Sequence, residues 1–231
     1  IERRFTSAGE DPFEMFDWIE MDAEIRNPDG SMADSITGVS LPSGYSGVPG
    51  KVLAQKYLRK AGVPTQLRKV PEDGVPVWLQ RSEPDHEKLD LLEAGERFTG
   101  ERDGKEVFRR LAGTWTYWGW KHGYFASEAD ARSYFDEMCF LVASQRSAPN
   151  SPQWFNTGLY WAYGIEGPAQ GHTYIDPVTG ELEYSVNAYE HPQPHACFIQ
   201  SVGDSLVGGE DSIMGLLNLE ALLFKYGSGT G

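Results

Sequence analysis

The sequence predicts a mixed α/β fold. Three features carry that reading: an amphipathic repeat from Ala131 to Val142, a hairpin signature over 172–185, and a β-prone run at Ala196–Val202 followed by an almost wholly apolar stretch from Asp211 to Tyr226. A length of 231 residues predicts between one and two domains, enough to bury a core without covalent staples. With 40% apolar and 23% charged residues, disorder throughout is excluded.

In chain order, Phe13, Phe16, Trp18 and Ile19 offer a short apolar patch, and Asn27-Pro-Asp-Gly30 and Ser43-Gly-Tyr-Ser-Gly47 predict turns and loop. Residues 51–61 predict a short helix that Gly62 and Pro64 end. Residues 64–104 are rich in proline and charge and predict an extended connection, so the expected division is a loop-rich region over 1–104 and a helical segment with the first strands over 105–231.

After 104, Val107, Phe108 and Leu111 share a helical face, and the three tryptophans of 114–120 predict an aromatic packing cluster. Ser127-Glu-Ala-Asp130 has the spacing of a helix N-terminal box. Behind it, Ala131, Tyr134, Phe135, Met138, Leu141 and Val142 mark one apolar face, with Cys139 beside it as a small buried residue. Two prolines flank Asn150-Ser151 and predict that no helix runs there. Asp176-Pro-Val-Thr-Gly180 is the expected turn of the 172–185 hairpin. The stretch Asp211–Tyr226 is expected to be a largely buried helix, capped by Asp211 and closed by Gly227.

Composition narrows the chemistry. Lys+Arg is 20 against Asp+Glu 34, a net charge of −14, which argues against a basic groove tracking a nucleic acid polymer and leaves small anionic ligands open. Two cysteines exclude a disulfide scaffold. No apolar run is long enough to span a membrane. The start, Ile1-Glu2-Arg3-Arg4-Phe5, leads into acidic sequence without an apolar leader, so a cytoplasmic location is expected. Because the chain starts on Ile and stops within Gly227-Ser-Gly-Thr-Gly231, a fragment of a longer polypeptide is expected. There is no Gly-x-Ser-x-Gly elbow and no Gly-Lys-Ser/Thr phosphate loop. His191, His195 and Cys197 stand close enough in sequence to suggest zinc, but the intervening prolines bar helical spacing of the imidazoles and no fourth ligand is evident. Cys197 is otherwise either a buried structural cysteine or a redox thiol presented by a strand.

Three segments in order change that balance: Ala148-Pro-Asn-Ser-Pro-Gln-Trp-Phe-Asn-Thr-Gly-Leu159; Gln193-Pro-His-Ala-Cys-Phe-Ile199 with Gly203-Asp-Ser-Leu206; and Lys225-Tyr-Gly-Ser-Gly-Thr-Gly231. Together they resemble the large subunit of ribonucleotide reductases, and Gly113-Thr-Trp-Thr-Tyr-Trp-Gly-Trp120 with the N-terminal stretch resembles the adenosylcobalamin-dependent, class II form. The resemblance implies a ten-stranded α/β barrel, of which this chain would hold only the first strands. It implies reduction of ribonucleotides, diphosphates by expectation, with adenosylcobalamin supplying the radical and a cysteine pair the electrons. By the same resemblance Cys197 is the first redox cysteine, and Ser151, Ala196 and Gly229 lie at the substrate, Ala196 standing where several relatives carry Ser. Asp204, Ser205 and Leu206 match the segment binding a deoxynucleoside triphosphate effector at a homodimer interface, and a thioredoxin-like dithiol is the implied reductant. The radical cysteine, the second redox cysteine and most cofactor-binding residues are expected outside this sequence, so the piece would be inactive alone. The competing expectation is a non-catalytic nucleotide-binding or assembly module that keeps the effector segment.

Overall fold

The computed structural model describes residues 1–231 except Gln170, Pro177, Tyr226 and Gly227, and leaves out the side chains of Ile25, Arg26 and Asp34. A short 3-10 turn, Pro12–Met15, precedes a long antiparallel hairpin of β1 (Trp18–Arg26) and β2 (Met32–Pro42). This corrects the expectation of loop. The Asn27–Gly30 turn does form, with Gly30 N donating to Asn27 O at 2.9 Å, but it is the tip of a hairpin. The overlooked signal is alternation: Glu20, Asp22 and Glu24 face solvent while Ala23 is buried. On β2, Ile36 and Val39 both point inward although three positions apart. An extra residue on β2 makes this possible, since Met21 pairs with Val39 and Ala23 with Ile36. Gly38 takes the bulge with φ +65 and donates its N–H to Asp22 Oδ1 at 2.8 Å.

Helix α1 (Val48–Val52) runs into a π turn, Leu53–Tyr57. It starts earlier than 51 because Pro49 suits a first helical turn, and it ends at Leu58, short of Gly62. The 64–104 region is mostly irregular with small elements: β3 (Val63–Pro64), β4 (Leu67–Lys69), β5 (Ser82–Pro84), α2 (His86–Leu89) and β6 (Phe98–Thr99), with β3 paired to β6 and β4 to β5, both antiparallel.

Helix α3 (Gly104–Lys121) opens on a reciprocal cap. Asp103 Oδ1 accepts from Lys105 N at 2.8 Å, and Glu106 Oε2 accepts from Asp103 N at 2.9 Å. Helix α4 (Glu128–Ala143) is capped by Ser127, whose Oγ accepts from Asp130 N at 3.1 Å, as its sequence predicts. One core joins the hairpin to both helices through Phe13, Val39, Leu41, Val107, Phe108, Leu111, Cys139 and Val142. The three tryptophans of α3 fan outward half-buried: Trp115 donates to Gln153 and Trp120 to the Gly74 carbonyl.

Beyond α4 the chain forms α5 (Ser151–Asn156) and α6 (Leu159–Tyr163). Helix α5 corrects the expectation that Pro149 and Pro152 bar a helix at Asn150-Ser151: Pro152 sits in the first turn, where its missing N–H breaks no helical bond. The hairpin of β7 (Thr173–Ile175) and β8 (Leu182–Tyr184) forms as predicted. Asp176 Oδ1 holds its turn through the amides of Val178 and Thr179, while Pro177 lies outside the described residues. Last come β9 (Cys197–Phe198), α7 (Ile213–Lys225) and β10 (Gly229–Thr230), with β10 parallel to β9.

Helix α7 differs from its prediction in two ways. Its cap is Ser212, whose Oγ accepts from Gly215 N at 3.1 Å, so Asp211 is not the cap. It is also not largely buried, for Ile213, Met214, Leu217, Leu222 and Phe224 are between 46% and 60% exposed. Its expected closure at Tyr226 and Gly227 lies outside the described residues.

Candidate functional site

The parallel strand pair builds the site. Gly229 N donates to Ala196 O at 2.6 Å, Gly231 N to Phe198 O at 3.0 Å, and Gln200 N to Gly231 O at 3.1 Å. Cys197 therefore lies opposite Gly229 in register. A Cβ on Gly229 would stand 3.6 Å from Cys197 Sγ and 3.5 Å from Ala196 O, so the bare glycine leaves an open edge beside an exposed thiol. Thus Ala196, Cys197 and Gly229, distant in sequence, meet in one place.

Ser228 and Thr230, to which the sequence alone assigned no role, hold this edge through Gln193 and Glu220. Ser228 is buried and its Oγ donates to His195 O at 2.9 Å, while Gln193 Nε2 donates to Ser228 Oγ and to His195 O. Thr230 Oγ1 donates to Glu220 Oε1 at 2.9 Å and ties β10 to α7. Of the two histidines weighed above as zinc ligands, the His191 ring stacks on Tyr174 at 3.8 Å and His195 meets Phe198 edge-on.

Ser151 sits at the start of α5, with its Oγ 3.1 Å from the Tyr57 hydroxyl. Among the described residues no hydrogen bond joins Ser151 to the Cys197 strand. What fixes α5 is a buried ion pair. Arg110 Nε meets Glu101 Oε1 at 2.7 Å with side-chain exposures of 1% and 0%. The Arg110 guanidinium also donates to Thr157 O at 2.8 Å and Trp154 O at 3.0 Å, the carbonyls at the C-terminal end of α5. Glu101 accepts further bonds from the Tyr163 hydroxyl and Arg59 N, so the charged pair is fully hydrogen-bonded. Burial pushes the Tyr163 hydroxyl well above its ordinary value, with the Glu101 charge adding to it, so it stays a donor.

Asp204, Ser205 and Leu206 lie on the surface before α7. The carbonyls of Ser205 and Leu206 accept from Ile213 N at 2.9 Å and Met214 N at 3.2 Å, which docks this segment on the helix start. Asp204 is exposed. Cys139 is a different case from Cys197: it is wholly buried, and burial pushes its thiol well above the ordinary value. It is an inert core residue, as read from the sequence.

Residues 20–145, more than half of the chain, match the family model described as Class II vitamin B12-dependent ribonucleotide reductase. Over its full length the chain is 58% identical to a protein of Bradyrhizobium diazoefficiens and 56% identical to one of Agrobacterium fabrum, each named vitamin B12-dependent ribonucleotide reductase. A protein of the same name from Rhodopirellula baltica is 30% identical over 96% of the chain. The chain spans 18% of the length of each of these relatives.

Proposed function

Because this chain belongs to the class II, vitamin B12-dependent ribonucleotide reductase family, we propose that it supplies one edge of a ribonucleotide reductase active site. Cys197 is one of two reducing thiols, and its partner lies elsewhere in the longer enzyme. The two thiols together release two electrons and two protons and close to a disulfide. At the ribose, the C2′–O bond gives way to C2′–H and the hydroxyl leaves as water. The observation that carries this reading is an exposed thiol presented on a strand beside a glycine with no side chain to block approach. Ala196 and Gly229 border the substrate there, and Ser151 contacts it from α5.

Adenosylcobalamin supplies the radical when bound. Among the described residues, those against Cys197 are the Ala196 carbonyl edge and the bare Gly229, which offer no broad apolar cradle for a corrin ring. Most of the residues that bind it are expected in the rest of the enzyme.

The finer reading is a ribonucleoside diphosphate substrate, a thioredoxin-like dithiol that reopens the disulfide, and a homodimer working in the cytoplasm. Parallel strands joined through α7 form a βαβ unit, which supports placing β9 and β10 at the start of a ten-stranded barrel. Asp204, Ser205 and Leu206 bind a deoxynucleoside triphosphate effector at the dimer interface.

In the full-length enzyme, Cys197→Ser is expected to abolish multiple turnover with a dithiol while substrate still binds. Wild-type turnover in that variant overturns the redox role. Asp204→Ala is expected to weaken effector binding roughly ten- to a hundredfold, the worth of one hydrogen bond to a charged group. Equilibrium binding of deoxynucleoside triphosphates to the dimer checks it, and unchanged affinity removes Asp204 from the site.

A further inference from the structure

Within a chain of net charge −14, residues 51–69 hold Lys51, Lys56, Arg59, Lys60, Arg68 and Lys69 and no Asp or Glu. Lys56, Arg59 and Lys60 line one concave pocket of about 340 Å³ together with Tyr57, Leu58, Ala61 and Phe155, and among the described residues no Asp or Glu lines it. A pocket lined by one sign of charge focuses the field and attracts the opposite sign, even on a protein whose total charge repels it.

The pocket's backbone is fixed from behind. Arg59 N donates to Glu101 Oε2 at 2.7 Å, and Glu101 N donates back to Arg59 O at 2.7 Å. Arg110 Nη2 donates to Tyr57 O at 3.2 Å. Gly100 presses against the same stretch so closely that a Cβ there would fall 2.4 Å from Lys60 O. Arg59 Nε donates to Ala61 O at 3.0 Å, and its guanidinium carbon stands 5.7 Å from the centre of the Tyr189 ring, so the group is held in place. The segment entering the pocket is the π turn closed by Leu58 N to Leu53 O at 3.1 Å, a geometry frequent at functional sites. Cations held on a rigid backbone lose little ordering entropy when a ligand arrives.

The pocket also shares a wall with Ser151. Phe155 lies four residues from Ser151, on the same face of α5 one turn away. Tyr57 spans both: its ring stacks on Trp154 at 5.3 Å and tilts against Phe155 at 5.4 Å, and its hydroxyl reaches Ser151.

We propose that the Lys56–Arg59–Lys60 pocket binds a phosphoryl anion. Its source is either a nucleotide whose other end lies at Ser151, which rests on the function proposed above, or free inorganic phosphate. The test is lysine acetylation of the full-length enzyme, read by mass spectrometry at Lys56, Lys60 and Lys51, the last exposed in the same basic stretch but outside the pocket. Saturating pyrophosphate is expected to slow labelling of Lys56 and Lys60 roughly tenfold and to leave Lys51 unchanged. Protection by a nucleoside diphosphate and not by the nucleoside supports the nucleotide source. Protection by pyrophosphate alone keeps the anion site and detaches it from the Ser151 reading. Equal slowing at all three lysines, or equal protection by sodium chloride at the same ionic strength, overturns the proposal. Lys56→Gln with Lys60→Gln is expected to weaken pyrophosphate binding roughly tenfold or more at an unchanged unfolding midpoint, and unchanged affinity in that variant also overturns it.

Discussion

The hairpin–helix core and the Cys197–α7 segment both carry many apolar residues and come out differently. Val39, Leu41, Val107, Phe108, Leu111 and Val142 are all at 0% exposure. On α7, no described residue is buried, and Ile199 just after β9 is 95% exposed. The core satisfies its apolar faces and a buried ion pair from within residues 1–163. The segment bearing the exposed Cys197 thiol has its backbone bonds in place and many of its apolar side chains uncovered, as surfaces that make contacts do. Arg110 and Glu101, which fix α5, thus lie in the well-buried region, and Cys197, the thiol of the proposed site, lies in the open one.

The strongest way to break this contrast is through Arg110. Arg110→Met leaves Glu101 buried and uncompensated and releases the carbonyls of Trp154 and Thr157. A loss of about 3–5 kcal/mol is expected, measured by denaturant unfolding. Adding Glu101→Leu is expected to recover part of it, since the buried carboxylate is then gone. A single-variant loss below 1 kcal/mol would mean that the network is solvated and that the core is less self-sufficient than its burial indicates.

A smaller effect is expected on acidification. Burial raises the Glu137 carboxyl, but backbone and hydroxyl hydrogen bonds from Phe5, Thr6 and Arg4 outweigh it, and the net value lies below the usual carboxylate range. A depressed carboxylate contributes stability above its unfolded value and loses it as pH falls through the folded one. The 4–6 stretch is therefore expected to detach from α4 in acid before the core opens. Hydrogen exchange at the Phe5 and Thr6 amides, which donate to Glu137 Oε1 at 3.0 and 2.9 Å, checks this. Glu137→Gln should remove the pH dependence, and amides that stay protected to the global acid transition would contradict it.

The smallest stability change is expected on α7. In a polypeptide limited to residues 1–231, Leu217→Glu should shift stability by no more than about 0.5 kcal/mol, because Leu217 is 60% exposed. The same change should reduce self-association, measured by sedimentation. A well-behaved monomer before substitution, with a large stability loss after it, would show that α7 is already covered.

How much of this was legible follows from the range of the forces involved. Helices α3 and α4 were readable because caps and apolar period are local: Ser127 and Asp130, Val107 and Leu111, interact within a turn or two. The 172–185 hairpin was readable for the same reason, its turn being tied by Asp176. The β1–β2 hairpin was overlooked although alternation marks it, because its bulge at Gly38 breaks the period midway. The identity of Cys197, Ser151 and Gly229 as site candidates came from motif resemblance, and the family comparison agrees with its source.

By itself, then, the sequence determined the elements whose stabilising contacts are near in the chain, and the family through ordered motifs. Only the tertiary structure decided that Gly229 lies against Cys197, that Ser212 and not Asp211 caps α7, and that Arg110 and Glu101 bury together. The physical reason is desolvation. A charge at position 110 reads as surface in any local window, and becomes affordable inside only when Glu101, Tyr57, Trp154 and Thr157, separated by up to a hundred residues, converge to give each of its three nitrogens a hydrogen-bond acceptor.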